Sequence, residues 1–166
     1  LGLCEVENHK VLNDLNDAYK GRDYDIVHYE SPDNRGIDNA LFYDKNRFSI
    51  ISSRAIENKL KNGGPTRDIL YVLGEYNNAR LHIFVNHWPS NYGGKENAIP
   101  KRTETAQLLI KEIENILSVE KSAEIILIGD FNEDPDDKNI MLLEKIGLTS
   151  LMKPMLGKSK VGTYVY

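Results

Sequence analysis

The stretch Glu124-Ile-Ile-Leu-Ile-Gly-Asp130 constrains the fold more than any other part of the chain. Its apolar run, Ile125 to Ile128, is too short for an ordinary helix and stops at Gly129-Asp130, where the polar string FNEDPDD begins. A short apolar run bounded by turn formers reads as a β-strand covered on both faces. Such a strand requires a packed layer on each side of its sheet.

The rest of the chain supplies those layers. An amphipathic helix is expected over about 8–19, with Val11, Leu12, Leu15 and Tyr19 at helical spacing and Gly21 closing it. Strands are expected at 1–5, 24–30, 37–44 and 47–56, with the turn cluster SPDNRG at 31–36 between the second and third and a loop at 61–65. Residues 68–76 and 80–88 read as a hairpin across Asn77-Asn78-Ala79. A long polar loop spans 89–100, then a helix at 101–119 places Ala106, Leu109, Ile110, Ile113 and Leu117 on one face. A shorter helix at about 138–146 ends at Gly147, and a last strand at 162–166 closes the sequence. Strands outnumber helices and several adjoin as hairpins. The expected fold is α/β (α+β), two mixed sheets packed face to face with helices outside, in one domain over 1–166. The pattern starts and stops in mid-strand, so the domain is expected to be incomplete at both ends.

Composition narrows the function classes. With 40% hydrophobic and 28% charged residues the chain is neither disordered nor an array of membrane spans. Lys+Arg 21 against Asp+Glu 25 gives a net charge of -4, and Lys101-Arg102 is the only adjacent basic pair, which argues against binding of nucleic acid by bulk positive charge. The single cysteine, Cys4, cannot form an intrachain disulfide, and with no CxxC and no Cys/His cluster along the sequence no structural zinc site is expected either. A monomer is expected.

Period-two phasing then draws candidate site residues together. Leu81, Ile83 and Val85 lead to His87; Ile126 and Ile128 lead to Asp130; Leu1 and Leu3 lead to Glu5. Asp38 is in phase with Ala40 and Phe42 at the start of its strand, and reaches the same end if that strand runs antiparallel to a neighbour. Each residue alone reads as an ordinary strand end or turn former; four at one end of a sandwich read as a site. Glu5, Asp38 and Asp130 offer hard oxygen ligands for Mg²⁺, Mn²⁺ or Ca²⁺. A divalent ion with few carboxylates is the usual companion of phosphate-ester hydrolysis. His87 can donate to a phosphoryl oxygen or move a proton, and the neutral Asn132 can approach a developing phosphorane without repulsion.

The strings LGLCEVEN, RGIDNALFYD, GPTRD, FVNHWPSN and IGDFNEDPDD together resemble the endonuclease/exonuclease/phosphatase superfamily, along essentially the whole chain. The resemblance implies the deoxyribonuclease I-like four-layer sandwich and a divalent-metal-dependent phosphoesterase. By it Glu5 resembles the metal-binding glutamate, and Asp130 the aspartate that orients or deprotonates water. Asn132 resembles its partner at the phosphate, and His87 the histidine that contacts the scissile group. Arg67, Arg35 and Asp38 are similar to substrate-facing positions, and Trp88 either stacks on substrate or packs. The implied cofactor is Mg²⁺, with Mn²⁺ or Ca²⁺ as alternatives. The implied partner is a phosphate-ester substrate, nucleic acid among the candidates. The family's upstream strand Asn and downstream Ser-Asp-His are not among these residues. A non-catalytic binding module on the same fold is therefore the second reading. A two-carboxylate glycoside hydrolase gives no reason for GDFN beside a strand histidine.

Overall fold

A computed structural model describes residues 1–19, 21, 24–61 and 64–158; the strand expected at 162–166 lies outside them. Strands β1 (Gly2–Val6), β2 (Asp25–His28) and β3 (Asp38–Tyr43) form a sheet in the order β1-β3-β2, with both pairings antiparallel. Strands β4 (Ser49–Ile56), β7 (Ile69–Tyr76), β8 (Ala79–His87) and β9 (Glu124–Asp130) form a mixed sheet in the order β4-β7-β8-β9, with β8 and β9 parallel. A two-stranded ribbon, β5 (Lys59–Leu60) with β6 (Gly64–Pro65), occupies the segment expected to be a loop.

Helix α1 (His9–Ala18) starts where Asn8 Oδ1 accepts the Val11 N–H at 3.0 Å, the usual way to satisfy an orphan helix donor. Its buried Leu12 packs with Val6, Ala40 and Phe42 on the outer face of the three-stranded sheet. The opposite face contributes Val27 and Leu41, which meet Phe48, Leu70, Val72 and Val85 between the sheets. Helix α2 (Lys95–Val119) covers the far side of the mixed sheet, where Ala106, Leu109 and Ile113 pack on Ile69, Tyr71, Phe84 and Trp88. Helix α3 (Lys138–Lys145) adds Ile140 and Leu143 to that cluster. The order helix, sheet, sheet, helices is the expected four-layer sandwich.

Local chemistry explains the joints. Asn77 and Asn78 both take positive φ, 50° and 63°, which is the two-residue turn whose twist suits a hairpin and which Asn tolerates. Gly74 has no side chain because the Phe48 ring lies over it, with Phe48 Cε1 2.6 Å from where a Cβ would stand.

Two expectations are corrected. The strand at 124–130 packs on both faces but is not buried: it lies at the edge of the mixed sheet among the described residues, none of its residues is fully buried, and Ile126 is 40% exposed. Its apolar run reflects packing between the sheets by Ile128 and against the helices by Ile125 and Leu127. The loop expected at 89–100 ends sooner, since α2 already begins at Lys95 with Pro100 inside it. So near the helix start, Pro100 removes only one internal hydrogen bond.

Candidate active site

The parallel strands β8 and β9 end side by side, with His87 the register partner of Asp130. Both residues continue the inter-sheet rows, Ile83–Val85 and Ile128, so the phasing expectation holds for this pair. Gly129 makes the close pairing possible. Its φ is 120°, and an added Cβ would overlap the Asn86 carbonyl oxygen and lie 2.8 Å from the Asn86 nitrogen, so the backbones can touch only at glycine.

The turn after β9 fixes Asp130. The Asn132 N–H donates to Asp130 Oδ1 at 2.8 Å, and Asn132 holds φ 51° to do so. Asp130 is exposed, and no hydrogen bond reaches its Oδ2 among the described residues. The Asn132 Nδ2 group donates to the Trp88 carbonyl at 3.0 Å, and Arg67 Nη2 donates to the same oxygen at 2.8 Å. One carbonyl therefore ties the start of β7 and the GDFN turn to the end of β8.

Arg67 is buried. Its Nη1 shares Asp33 Oδ2 at 3.4 Å with Arg35, whose Nη2 lies 2.9 Å from that oxygen. Burial alone would raise the Asp33 pKa, but the hydrogen bonds and charge of Arg35, helped by Arg67, hold it at about 2. Arg35 keeps 55% of its side chain exposed, so it is the arginine with freedom to meet a ligand.

Burial, reinforced by the positive charge of Arg67, lowers the His87 pKa to about 4 despite the nearby carboxylates of Asp130 and Glu5. The imidazole is neutral at pH 7. Its Nδ1 is buried without a partner, which leaves Nε2 as the nitrogen with access to the site.

Glu5 arrives by a different route from the one expected. Leu3 pairs with Ala40 but Val6 pairs with Asp38, so β1 holds one residue more than β3 there, a β-bulge. Leu3 and Val6 both face α1, while Cys4 Sγ donates to the Asn86 carbonyl at 3.3 Å on the other face. Within the bulge Glu5 takes φ 60° and is exposed. Simple alternation from Leu1 and Leu3 is thus corrected: the bulge carries Glu5 into the electrostatic neighbourhood of Cys4, Arg35, Arg67 and His87. Strained backbone at both Glu5 and Asn132 is typical of sites where side-chain placement outweighs local comfort.

Two expected site residues lie elsewhere. Asp38 reaches the expected end of the sandwich, but its phase with Ala40 and Phe42 points it toward the α1 layer. There it is 1% exposed and its oxygens take Ser31 N–H at 2.8 Å and His28 Nε2 at 3.0 Å. The Trp88 ring cannot stack on a ligand because it is 0% exposed and packs edge-on against Phe131, with centroids 5.0 Å apart; only its carbonyl serves the site.

Sequence reasoning made neither Asp33 nor Arg102 a site residue. Arg102 is 1% exposed. Its Nε donates to Glu133 Oε1 at 2.9 Å, and its Nη1 reaches the Pro89 carbonyl and Asn91 Oδ1 at 3.0 Å each. It fastens the segment after His87 to the turn after Asp130. A basic residue on the apolar face of a helix was the available signal.

The exposed carboxylates of Glu5 and Asp130 fit a hard divalent ion that keeps most of its waters. Among the described residues no group of three His, Cys, Asp or Glu donors closes around Glu5, so a fully protein-liganded ion does not fit there. The softer Cys4 thiol is turned away and its pKa is raised by burial.

Comparison with known proteins agrees with this fold. No curated protein matches the sequence. Among solved structures, the human Nocturnin catalytic domain with bound sulfate superposes with TM-score 0.64 at 22% identity, covering 85% of this chain and 54% of that one. D. rerio TDP2 complexed with a single-strand DNA product gives TM-score 0.62 at 18% identity, covering 86% and 50%. ANGEL2, a 2',3'-cyclic phosphatase, gives TM-score 0.68 at 15% identity, covering 87% and 42%. The chain spans about half the length of the solved chains it matches. The family model matches over residues 1–166, and the chain belongs to the endonuclease/exonuclease/phosphatase family, whose members hydrolyse phosphate esters and in general depend on a divalent metal ion.

Proposed function

We propose that the chain hydrolyses phosphodiester bonds by attack of water, with Mg²⁺ as the ion at Glu5 and Mn²⁺ or Ca²⁺ as substitutes. The observation that carries this reading is the register pairing of a neutral His87 with a solvent-facing Asp130 at the ends of two parallel strands.

Asp130 Oδ2 accepts the proton of the attacking water, while the Asn132 N–H keeps the carboxylate from rotating away. His87 Nε2–H donates to a phosphoryl oxygen as a neutral imidazole, a state that burial maintains through physiological pH. Asn132 has a second Nδ2 hydrogen free beyond the one given to Trp88. It offers a neutral dipole to the oxygens that gain charge. Arg35 is the exposed cation for the substrate's negative charge. Arg67 acts from behind, adding charge and holding the Trp88 carbonyl. Glu5 is the carboxylate that would hold a divalent ion, which would supply Lewis-acid charge for the phosphoryl group.

Local charge of this kind suits a nucleic acid or another phosphodiester without the bulk basic surface that the net charge of -4 denies it. The DNA product in the zebrafish TDP2 complex supports nucleic acid as the first substrate to try. The test is hydrolysis of a chromogenic phosphodiester and the matching monoester, with Mg²⁺, with Mn²⁺ and with chelator. Diester cleavage lost on chelation is expected. Monoester preference would redirect the reading to a phosphatase, and silence from folded protein would favour a binding module.

A further inference from the structure

We propose that His28, Glu30 and Asp38, joined by His9, form a second metal site for a borderline divalent ion of the Zn²⁺ class, separate from the phosphoester site. The ligand atoms of His28, Glu30 and Asp38 all lie within 4.8 Å of one another. The side chains of His28 and Asp38 are 3% and 1% exposed, with Nε2 and Oδ2 3.0 Å apart. Donors on a tetrahedral ion with bonds of about 2.0–2.1 Å stand roughly 3.3 Å apart, so this pair already has nearly the required spacing. Glu30 is exposed and is the third member of the group. The His9 ring stands edge-on to His28 with centroids 6.0 Å apart, outside the three-residue group, and must turn toward the ion to serve as the fourth donor.

Charge and orientation point the same way. Two carboxylates converge here, and among the described residues neither is ion-paired to a lysine or arginine. Glu30 has no hydrogen-bond partner among them. The Ser31 N–H holds Asp38 Oδ1 at 2.8 Å, the kind of outer support that aims a ligating carboxylate. Mixed imidazole and carboxylate donors favour Zn²⁺ over Mg²⁺, which prefers oxygen alone.

The site lies on the α1 side of the three-stranded sheet, across β1 from the Glu5 bulge, since Asp38 pairs with Val6. Its ligands bracket the 29–37 loop: His28 ends β2, Glu30 follows it, and Asp38 begins β3. An ion there would clasp the base of the loop that carries Asp33 and Arg35. No Cys/His spacing announced it because only the β2–β3 pairing and the α1 start bring these residues together.

The test uses the full chain stripped of metal with chelator, then titrated with Zn²⁺ against a chromogenic zinc indicator. Co²⁺ is added in parallel for its visible d–d bands. We expect one ion per chain and Co²⁺ bands of four-coordinate intensity. Affinity should fall roughly tenfold or more in Glu30→Gln and in His28→Gln and be unchanged in Glu5→Gln. Glu30 is a surface residue, so its variant is informative even where His28→Gln fails to fold. No Zn²⁺ uptake, uptake indifferent to Glu30→Gln, or uptake lost in Glu5→Gln would each overturn the proposal. The last would assign the ion to the phosphoester site.

Discussion

The neutral state of His87 is a stability statement as well as a catalytic one. Its pKa falls from 6.5 in the open chain to about 4 in the folded protein, first because the ring is buried and then because Arg67 stands near it. Between those two values the unfolded chain binds a proton that the folded chain refuses, so stability rises with pH there. The His87 contribution is therefore fully present above about pH 6.5 and is lost progressively as pH falls toward 4. At about 1.4 kcal/mol per pH unit, the gap amounts to about 3 kcal/mol, with about 2 kcal/mol already gone at pH 5. Asp33 does not confuse this window, since its own contribution, present above 3.8, is lost only as pH falls toward about 2. Urea unfolding of the wild type and of His87→Gln, both with chelator, at pH 7.5, 6, 5 and 4.5 isolates the effect as the difference between the two proteins. The expected outcome is that the wild type loses about 2 kcal/mol more than the variant between pH 7.5 and 5. A difference that stays constant across the series, or a histidine NMR titration placing His87 near 6.5, refutes the claim that the folded site keeps it neutral by burial.

Asp130→Ala removes the proposed base from an exposed position, so catalysis should fall by roughly 10²–10⁴ while stability changes by only about 1 kcal/mol, the one hydrogen bond to Asn132. Assay of hydrolysis beside thermal unfolding separates the two. Gly129→Ala forces a Cβ into the Asn86 backbone at φ 120°, and backbone strain with overpacking should take away about 3–5 kcal/mol, read as a drop in Tm of about 2–4 °C per kcal/mol. A fully stable, active Gly129→Ala would contradict the close β8–β9 approach. Arg102→Met strands a buried Glu133 charge and should destabilise by about 3–5 kcal/mol, whereas adding Glu133→Leu to it should restore part of the loss; a double variant whose loss equals the sum of the two single losses would show that the pair is not coupled.

What was legible along the chain and what was not follows from how each residue gets its direction. His87 and Asp130 continue regular strands, so the two-residue period placed them correctly, and GDFN marked the turn that fixes Asp130. Glu5 was found by its motif but for the wrong geometric reason, because a bulge leaves no mark in a five-residue apolar string and resets the alternation that the reading relied on. Asp38 shows the converse: its phase with Ala40 and Phe42 was read correctly, but which face of β3 looks at the second sheet is decided by Leu41 meeting Val85 and Val72 across the sandwich, a choice that one strand cannot reveal. Trp88 follows His87 by one residue and so, by the same pleat that aims His87 into the site, had to face the helices. Arg102 stayed hidden because its counter-charge Glu133 lies 31 residues away, and Asp33, paired locally with Arg35, read as a turn residue until Arg67, 34 residues on, joined it. The residues that do the proposed chemistry were thus visible where they sit on regular secondary structure. The residues that hold them there come from long-range pairings, and it is those pairings, centred on the Trp88 carbonyl, that turn three separate strand ends into one site.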